Sequence, residues 1–204
     1  MISSIRVTTE NIEVLKMVKI VSYKLSWPEE FREISNVLRQ GLGKMAIRID
    51  HIGSTSVPGL AAKDIIDIQI TVASFSDPID LAMTKLGYKQ PEGVWIDHCP
   101  LGSEYMETDW AKLFFNAPPE QRLTNTHVRV QGMANQRYAL LFRDYLRVHS
   151  ASARSYAELK RRLIENISDP KMYPDVKDPA VDLIYWAAEA WATMTEWQPG
   201  PTDE

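Results

Sequence analysis

His51-Ile52-Gly53-Ser54-Thr55-Ser56-Val57-Pro58-Gly59-Leu60-Ala61-Ala62-Lys63 runs straight into Asp64-Ile65-Ile66-Asp67-Ile68-Gln69-Ile70, joining a turn of small, hydroxyl-rich residues to an apolar strand that carries acids. Glycines let a ligand approach the main chain, and successive N–H groups form a concavity suited to an anion. A carboxylate on the adjoining strand can hold a divalent cation against that anion. Within the strand Ile66, Ile68 and Ile70 share one face, while Asp67, Gln69 and Thr71 share the other. Asp64, three positions from Asp67, points the opposite way.

Two familiar phosphate-binding patterns are excluded. A P-loop needs Gly-Lys-Ser/Thr opening a helix, whereas Ser54 follows Gly53 directly and Lys63 precedes a strand. No G-x-G-x-x-G occurs either. The nucleotidyltransferase pattern remains: an apolar residue, Gly-Ser, a spacer, then Asp-x-Asp/Glu in a strand. Ile52-Gly53-Ser54 and Asp67-Ile68-Gln69 meet it at all but one position, because Gln69 replaces the second acid.

Working outward, Val18 to Val21 reads as a short strand. A helix starts at Ser26-Trp27-Pro28-Glu29-Glu30, with Phe31, Ile34, Leu38 and Leu42 at helical spacing and Gly41 or Gly43 to stop it. Ala46 to Ile52 alternates as a strand. Asp77-Pro78 caps a helix running to about Leu86. Tyr88 to Asn116 has weak patterning, with short strands expected around Trp95 and 113–115. Thr126 to Val130 is a strand. Gln136 to about Ile167 is helical with a weak point at His149-Ser150, and a last helix is expected from Pro179 to Trp197. The layout is α+β: a mixed β-sheet flanked by helices, with a helical C-terminal third. One domain over 1–197 and a disordered tail over 198–204 are expected.

Composition narrows the setting. The chain has 204 residues, 45% hydrophobic and 25% charged, as ordinary globular proteins do. A net charge of −4 argues against a nucleic-acid-coating protein. Cys99, the lone cysteine, leaves no internal disulfide and no thiolate metal site, which suits a cytoplasmic protein. Met1 to Glu10 lacks the order of a secretory signal, and no apolar run reaches the roughly 20 residues that cross a bilayer.

The chain resembles the GrpB proteins, a branch of the nucleotidyltransferase fold. Four segments carry the likeness: Tyr23 with Trp27-Pro28 and Phe31; Ile49 to Leu60 with Lys63 and Ile65-Ile66-Asp67-Ile68; Thr126-His127-Val128-Arg129-Val130; and Leu141 to Arg147, followed by Tyr156, Lys160, Tyr173 and Lys177. The resemblance implies a nucleotidyltransferase-like sheet, and fusions of some relatives to the enzyme completing coenzyme A point toward nucleotide or cofactor metabolism. The chain departs from the family pattern in having Asp64 for a usual proline, Asp50 for glutamate, and His127-Val128-Arg129 for His-x-His. Arg129 substitutes a fixed cation for a metal ligand or base.

These readings converge on a nucleotidyltransferase-like protein. It would move a nucleoside monophosphate from a nucleoside triphosphate to a small-molecule acceptor with Mg²⁺. Asp67 and His127 are the expected catalytic residues, and Asp67 and Gln69 the expected metal ligands. His51, Gly53, Ser54, Thr55, Ser56, Lys63, Arg129, Arg143 and Arg147 are expected to bind substrate. Arg154 and Arg161 share a helix face with Arg143 and Arg147, but Glu158 and Glu165 supply them with ordinary ion pairs. Glu104, Glu107 and Asp109 are spare acids in the weakly patterned region. The alternative is a catalytically silent nucleotide- or anion-binding domain without a complete metal centre. Neither nucleic acid nor membrane is an expected partner.

Overall fold

A strand with isoleucine at every second position can bury one side completely while offering polar groups on the other, and this strand forms the centre of the fold. The computed structural model describes residues 19–75, 78–91, 95–169 and 172–204. Met1 to Glu10, Val18 and Asp77, which figure in the readings above, lie outside those residues.

The strands are β1 (Ile20–Val21), β2 (Arg48–Ile52), β3 (Ala62–Lys63), β4 (Ile66–Val72), β5 (Trp95–Ile96), β6 (Ala111–Asn116) and β7 (Thr124–Val130). The helices are α1 (Trp27–Leu42), α2 (Ile79–Lys85), α3 (Ala134–Val148), α4 (Ser150–Asn166) and α5 (Tyr173–Thr195). The main sheet has the order β2-β4-β7-β6-β5, and β1 pairs with β3 beside it. Among the described residues only β4 and β7 run parallel; β2–β4, β6–β7 and β5–β6 are antiparallel. The expected α+β layout with a mixed sheet and a helical C-terminal third is what the chain adopts. Among the described residues no helix is long and apolar enough to cross a membrane.

On one sheet face Ile66, Ile68, Ile70 and Val72 meet Trp27, Phe31, Ile34, Leu38 and Leu42 of α1, with Ile79 and Met83 of α2. Each large side chain so buried contributes about 1.5–3 kcal/mol before entropy is counted. A second cluster joins Val57, Leu60 and Ala61 to α3, α4 and α5 through Leu141, Leu146, Tyr156, Val181 and Tyr185. The 53–56 turn lies between the two clusters.

Local departures have plain causes. The expected weak point at His149 separates α3 from α4, since its φ of −109° and ψ of 72° are not helical. Helix α5 begins at Tyr173 rather than Pro179: Pro174 occupies the first turn, where a missing N–H costs nothing, and Pro179 is carried inside the helix. The tail expected to be disordered is docked along β2. Thr202 Oγ1 donates to Ile49 O (2.6 Å) and accepts from Ile49 N (3.2 Å), while Asp203 accepts from His51 N at 3.1 Å. Asp203 also pairs with Arg143, and Glu204 with Arg39. Pro- and Gly-rich composition signalled freedom, but the terminal Thr-Asp-Glu finds complementary arginines.

Candidate functional site

The register sets the site. Asp67 on β4 stands opposite Asn125 on β7, followed along the same face by Gln69 opposite His127 and Thr71 opposite Arg129. Asn125 Nδ2 donates to Asp67 Oδ1 at 2.8 Å. Gly53 adopts a φ of +68°, and Asp67 Oδ2 lies so near that a Cβ on residue 53 would come within 2.2 Å of it. Glycine is therefore required twice over, by conformation and by space.

Gly53, Ser54, Thr55, Lys63, Asp67 and Arg129 line one cavity of about 320 Å³. The turn and the strand acid thus converge, as the sequence pattern requires. The remaining wall comes from distant segments: Asp97 and His98 after β5, Asn125 on β7, Tyr138 and Phe142 on α3, Tyr156 and Lys160 on α4, and Tyr173, Lys177 and Asp178 on α5. Tyr156, Lys160, Tyr173 and Lys177 belong to the fourth segment of the family resemblance. Tyr138 and Phe142 have the spacing of ordinary core residues, and nothing in the sequence singles out Asp97.

Lys160, 3% exposed, donates to Ser54 Oγ (2.8 Å) and Ala61 O (2.7 Å). Burial, helped by neighbouring Lys177, pushes its pKa down to about 7. Lys63 lies 4.0 Å from the centre of the Tyr173 ring. Burial and Lys177 lower its pKa too, against the pull of Asp67. Burial raises the pKa of Asp67, opposed by the Asn125 hydrogen bond and by Lys177, Lys63 and Arg129. The cavity thus joins a strand carboxylate to several lysines and an aromatic wall, where Tyr138 and Phe142 stack with centroids 6.1 Å apart.

Several expected site residues take other roles. Gln69 is fully buried and spends both amide atoms: Oε1 accepts from Arg129 Nη1 (2.7 Å), and Nε2 donates to Gln136 O (3.1 Å). It offers no oxygen to a metal, because α3 covers that part of the sheet. His127 packs edge-on against Phe114, and burial with Arg129 and Lys112 nearby keeps its ring neutral, well below the usual range. It lies between Asn125 and Arg129 but outside the cavity lining. His51 stacks on Phe31 and shares a 2.9 Å hydrogen bond with Thr55 Oγ1; burial and two arginines push its pKa down to about 3. Ser56 turns inward to donate to Gly53 O at 2.6 Å.

Arg143 and Arg147 brace the turn from behind. Arg143 donates to His51 O (3.2 Å) and pairs with Asp144 and Asp203, and Arg147 donates to Ser56 O at 3.1 Å. Their cationic groups were needed inside the protein, which helical spacing alone does not reveal. Asp64, as expected, faces away: it pairs with Lys24 and Arg122 and accepts from Trp27 Nε1.

Asp97 is a further carboxylate at the cavity, beside Asp67 and Asp178. Arg129 Nε donates to it at 2.8 Å, Asn135 Nδ2 at 3.0 Å, and Lys112 forms a third contact. Burial alone would raise its pKa, but Arg129 and Lys112 together hold it far below the usual carboxylate range. Among the described residues no three His, Cys, Asp or Glu side chains gather to hold a metal.

Fold and site together define an α+β protein with a Gly-Ser turn and a strand carboxylate set on one cavity. The chain belongs to the GrpB family, described as "GrpB protein", whose profile matches residues 17–186. It is 31% identical over 180 residues to a UPF0157 protein of Halalkalibacterium halodurans, covering 85% of this chain and 83% of that one. It is 35% identical over 199 residues to a dephospho-CoA kinase of Mycobacterium tuberculosis, covering 89% of this chain and 48% of that protein. The chain therefore spans about half the length of its mycobacterial relatives. The crystal structure of the conserved protein GrpB from Enterococcus faecalis aligns with a TM-score of 0.66 at 27% identity, covering 85% of this chain and 99% of that one.

Proposed function

We propose that this chain is a nucleotidyltransferase-like protein that binds a nucleoside triphosphate with Mg²⁺ and transfers the nucleoside monophosphate to a small hydroxyl-bearing acceptor. The observation that carries this reading is the convergence of Gly53-Ser54, Asp67 and Lys160 on one cavity. The turn would hold the β- and γ-phosphates. Lys63, Lys160 and Lys177 would offset their charge, and the aromatic wall of Tyr138, Phe142 and Tyr156 would bound the nucleoside. Asp67 would hold Mg²⁺ together with phosphate oxygens, and the ion, when bound, would draw charge from the phosphates. Arg129, anchored by Asp97 and Gln69, and the neutral His127 fix the floor beside Asp67 and Asn125. Such a site works by positioning and electrostatic preorganisation.

A second reading, a nucleotide-binding domain without turnover, is favoured by the commitment of Gln69 to Arg129 and of Asp97 to its three donors. Titration with ATP, GTP, CTP and UTP, with and without Mg²⁺, tests the first step. Mg²⁺-dependent binding that Asp67→Asn removes is expected; binding indifferent to both favours the silent domain. Labelled triphosphates with a metabolite extract, and separately with dephospho-CoA, test transfer through pyrophosphate release. Dephospho-CoA is included because it appears in the name of the mycobacterial relatives. No nucleotide binding under any condition would overturn both readings.

A further inference from the structure

Arg147, Arg154 and Arg161 recur at every seventh position, and none of the three lines the cavity that holds Asp67. They gather instead around another cavity, of about 500 Å³, at the 58–61 end of the turn. Its floor is apolar and buried: Leu60 and Ala61 follow the turn, Leu146 comes from α3, and Ala153 and Ala157 come from α4. The two cavities have no lining residue in common. Helix α4 divides them, lending Tyr156 and Lys160 to one and the row Ala153, Ala157 and Arg161 to the other.

The chain's own acids leave much of this cationic rim unused. Glu158, expected to pair with Arg154, instead accepts from Arg162 Nε at 2.8 Å and stands 3.8 Å from Arg161. Among the described residues Arg154 has no carboxylate partner and donates to Ser150 Oγ at 3.3 Å. Arg147 gives Nε to Ser56 O, while its Nη1 lies 3.6 Å from Asp144 and 3.7 Å from Asp203. A guanidinium has five N–H donors, so each of the three keeps some for a ligand. Ser150, also in the lining, opens α4 and brings the positive end of the helix dipole to the same rim.

We propose that this groove is a second ligand site, for a small, soluble phosphate monoester with an apolar body. Guanidinium forks match phosphate oxygens in pairs, and the aliphatic floor takes the body out of water. A concavity of this size encloses a small molecule, whereas a bilayer would lie across its rim. Arg147 belongs both to the rim and to the bracing of Ser56, so the bound molecule adjoins the support of the turn. The site is independent of the transfer reading and stands whether or not the other cavity turns a nucleotide over.

Octyl phosphate is the probe, titrated by calorimetry into the full chain beside inorganic phosphate and octanol. It is expected to bind at least about 10-fold more tightly than either fragment. The double variant Arg154→Gln/Arg161→Gln alters two exposed side chains and should weaken octyl phosphate by at least about 10-fold. Lys63→Gln/Lys177→Gln, in the other cavity, should change its affinity by less than about 2-fold. An arginine variant that binds as the wild type does, or a lysine variant that does not, would overturn the proposal. So would octyl phosphate binding no better than its fragments, or phosphatidic acid vesicles binding where octyl phosphate fails. If either variant does not fold, amide exchange in the wild type decides. Octyl phosphate should slow exchange over 59–61 and 153–161, and protection that spares those residues overturns the site.

Discussion

Asp67 Oδ2 occupies the space that a side chain at residue 53 would need, 2.2 Å from where a Cβ on Gly53 would stand. Turn and carboxylate are thereby a matched pair, each limiting what the other can be. Gly53→Ala must displace Asp67 and also hold a φ of +68° that L-residues resist. We expect a loss of about 1–3 kcal/mol in denaturant unfolding, from the backbone conformation alone. We also expect Mg²⁺-dependent nucleotide affinity to fall at least about 10-fold. In the double variant Gly53→Ala/Asp67→Ala the steric part of the stability loss should return and the affinity should not.

The Asp67 carboxyl holds its proton to a higher pH in the folded chain than in the unfolded one, where 3.8 is the ordinary value, because burial outweighs the Asn125 bond and the nearby cations. The folded state therefore binds more protons between the two pKa values, and stability falls as pH rises through that interval. Asp67→Asn removes this cost while leaving an oxygen for Asn125. Thermal unfolding should show the variant more stable at pH 7, with the advantage gone below about pH 3.8. Each kcal/mol regained corresponds to about 2–4 °C in a chain of this size. Equal melting curves at pH 7 would mean that Asp67 is fully compensated.

The pattern in the chain makes Gln69→Glu look like the repair of a metal centre. The structure predicts otherwise. Glutamate would keep the contact with Arg129 but turn an oxygen toward Gln136 O, where the amide now donates. The variant should gain no Mg²⁺ affinity by calorimetry and should lose about 1–3 kcal/mol of stability.

Asp203 neutralises Arg143, a side chain 2% exposed, and supplies the acceptor for His51 N. Asp203→Ala strands His51 N, takes one of the carboxylate partners of Arg143, and should cost about 1–3 kcal/mol. Because Arg143 and Arg147 also hold His51 O and Ser56 O, amide exchange across residues 51–56 should quicken. Glu204→Ala leaves this bracing intact and should leave exchange there unchanged.

What could be read from the chain followed the range of each signal. The Gly53-Ser54 turn and Asp67 lie within one contiguous stretch, so strand alternation alone places the acid beside the turn. The apolar positions of α1 and β4 were equally plain, since periodicity records which face is buried. Asp97 stayed hidden because it sits where alternation is weak, and its importance comes from Arg129 and Lys112 on other strands. Arg143 and Arg147 were misread for a related reason: a basic stripe on a helix looks the same whether it meets a ligand or the protein's own carbonyls. Lys160 lay among the family's matched residues, yet only packing of α4 on the turn shows its amine reaching Ser54.

Strand β2 is the outer member of its sheet, and such margins invite pairing with other chains. Here side chains at 202 and 203 occupy the main-chain groups of Ile49 and His51 that a foreign strand would seek. Thr202 and Asp203 thus seal that stretch of the margin while holding the pocket's rear support in place.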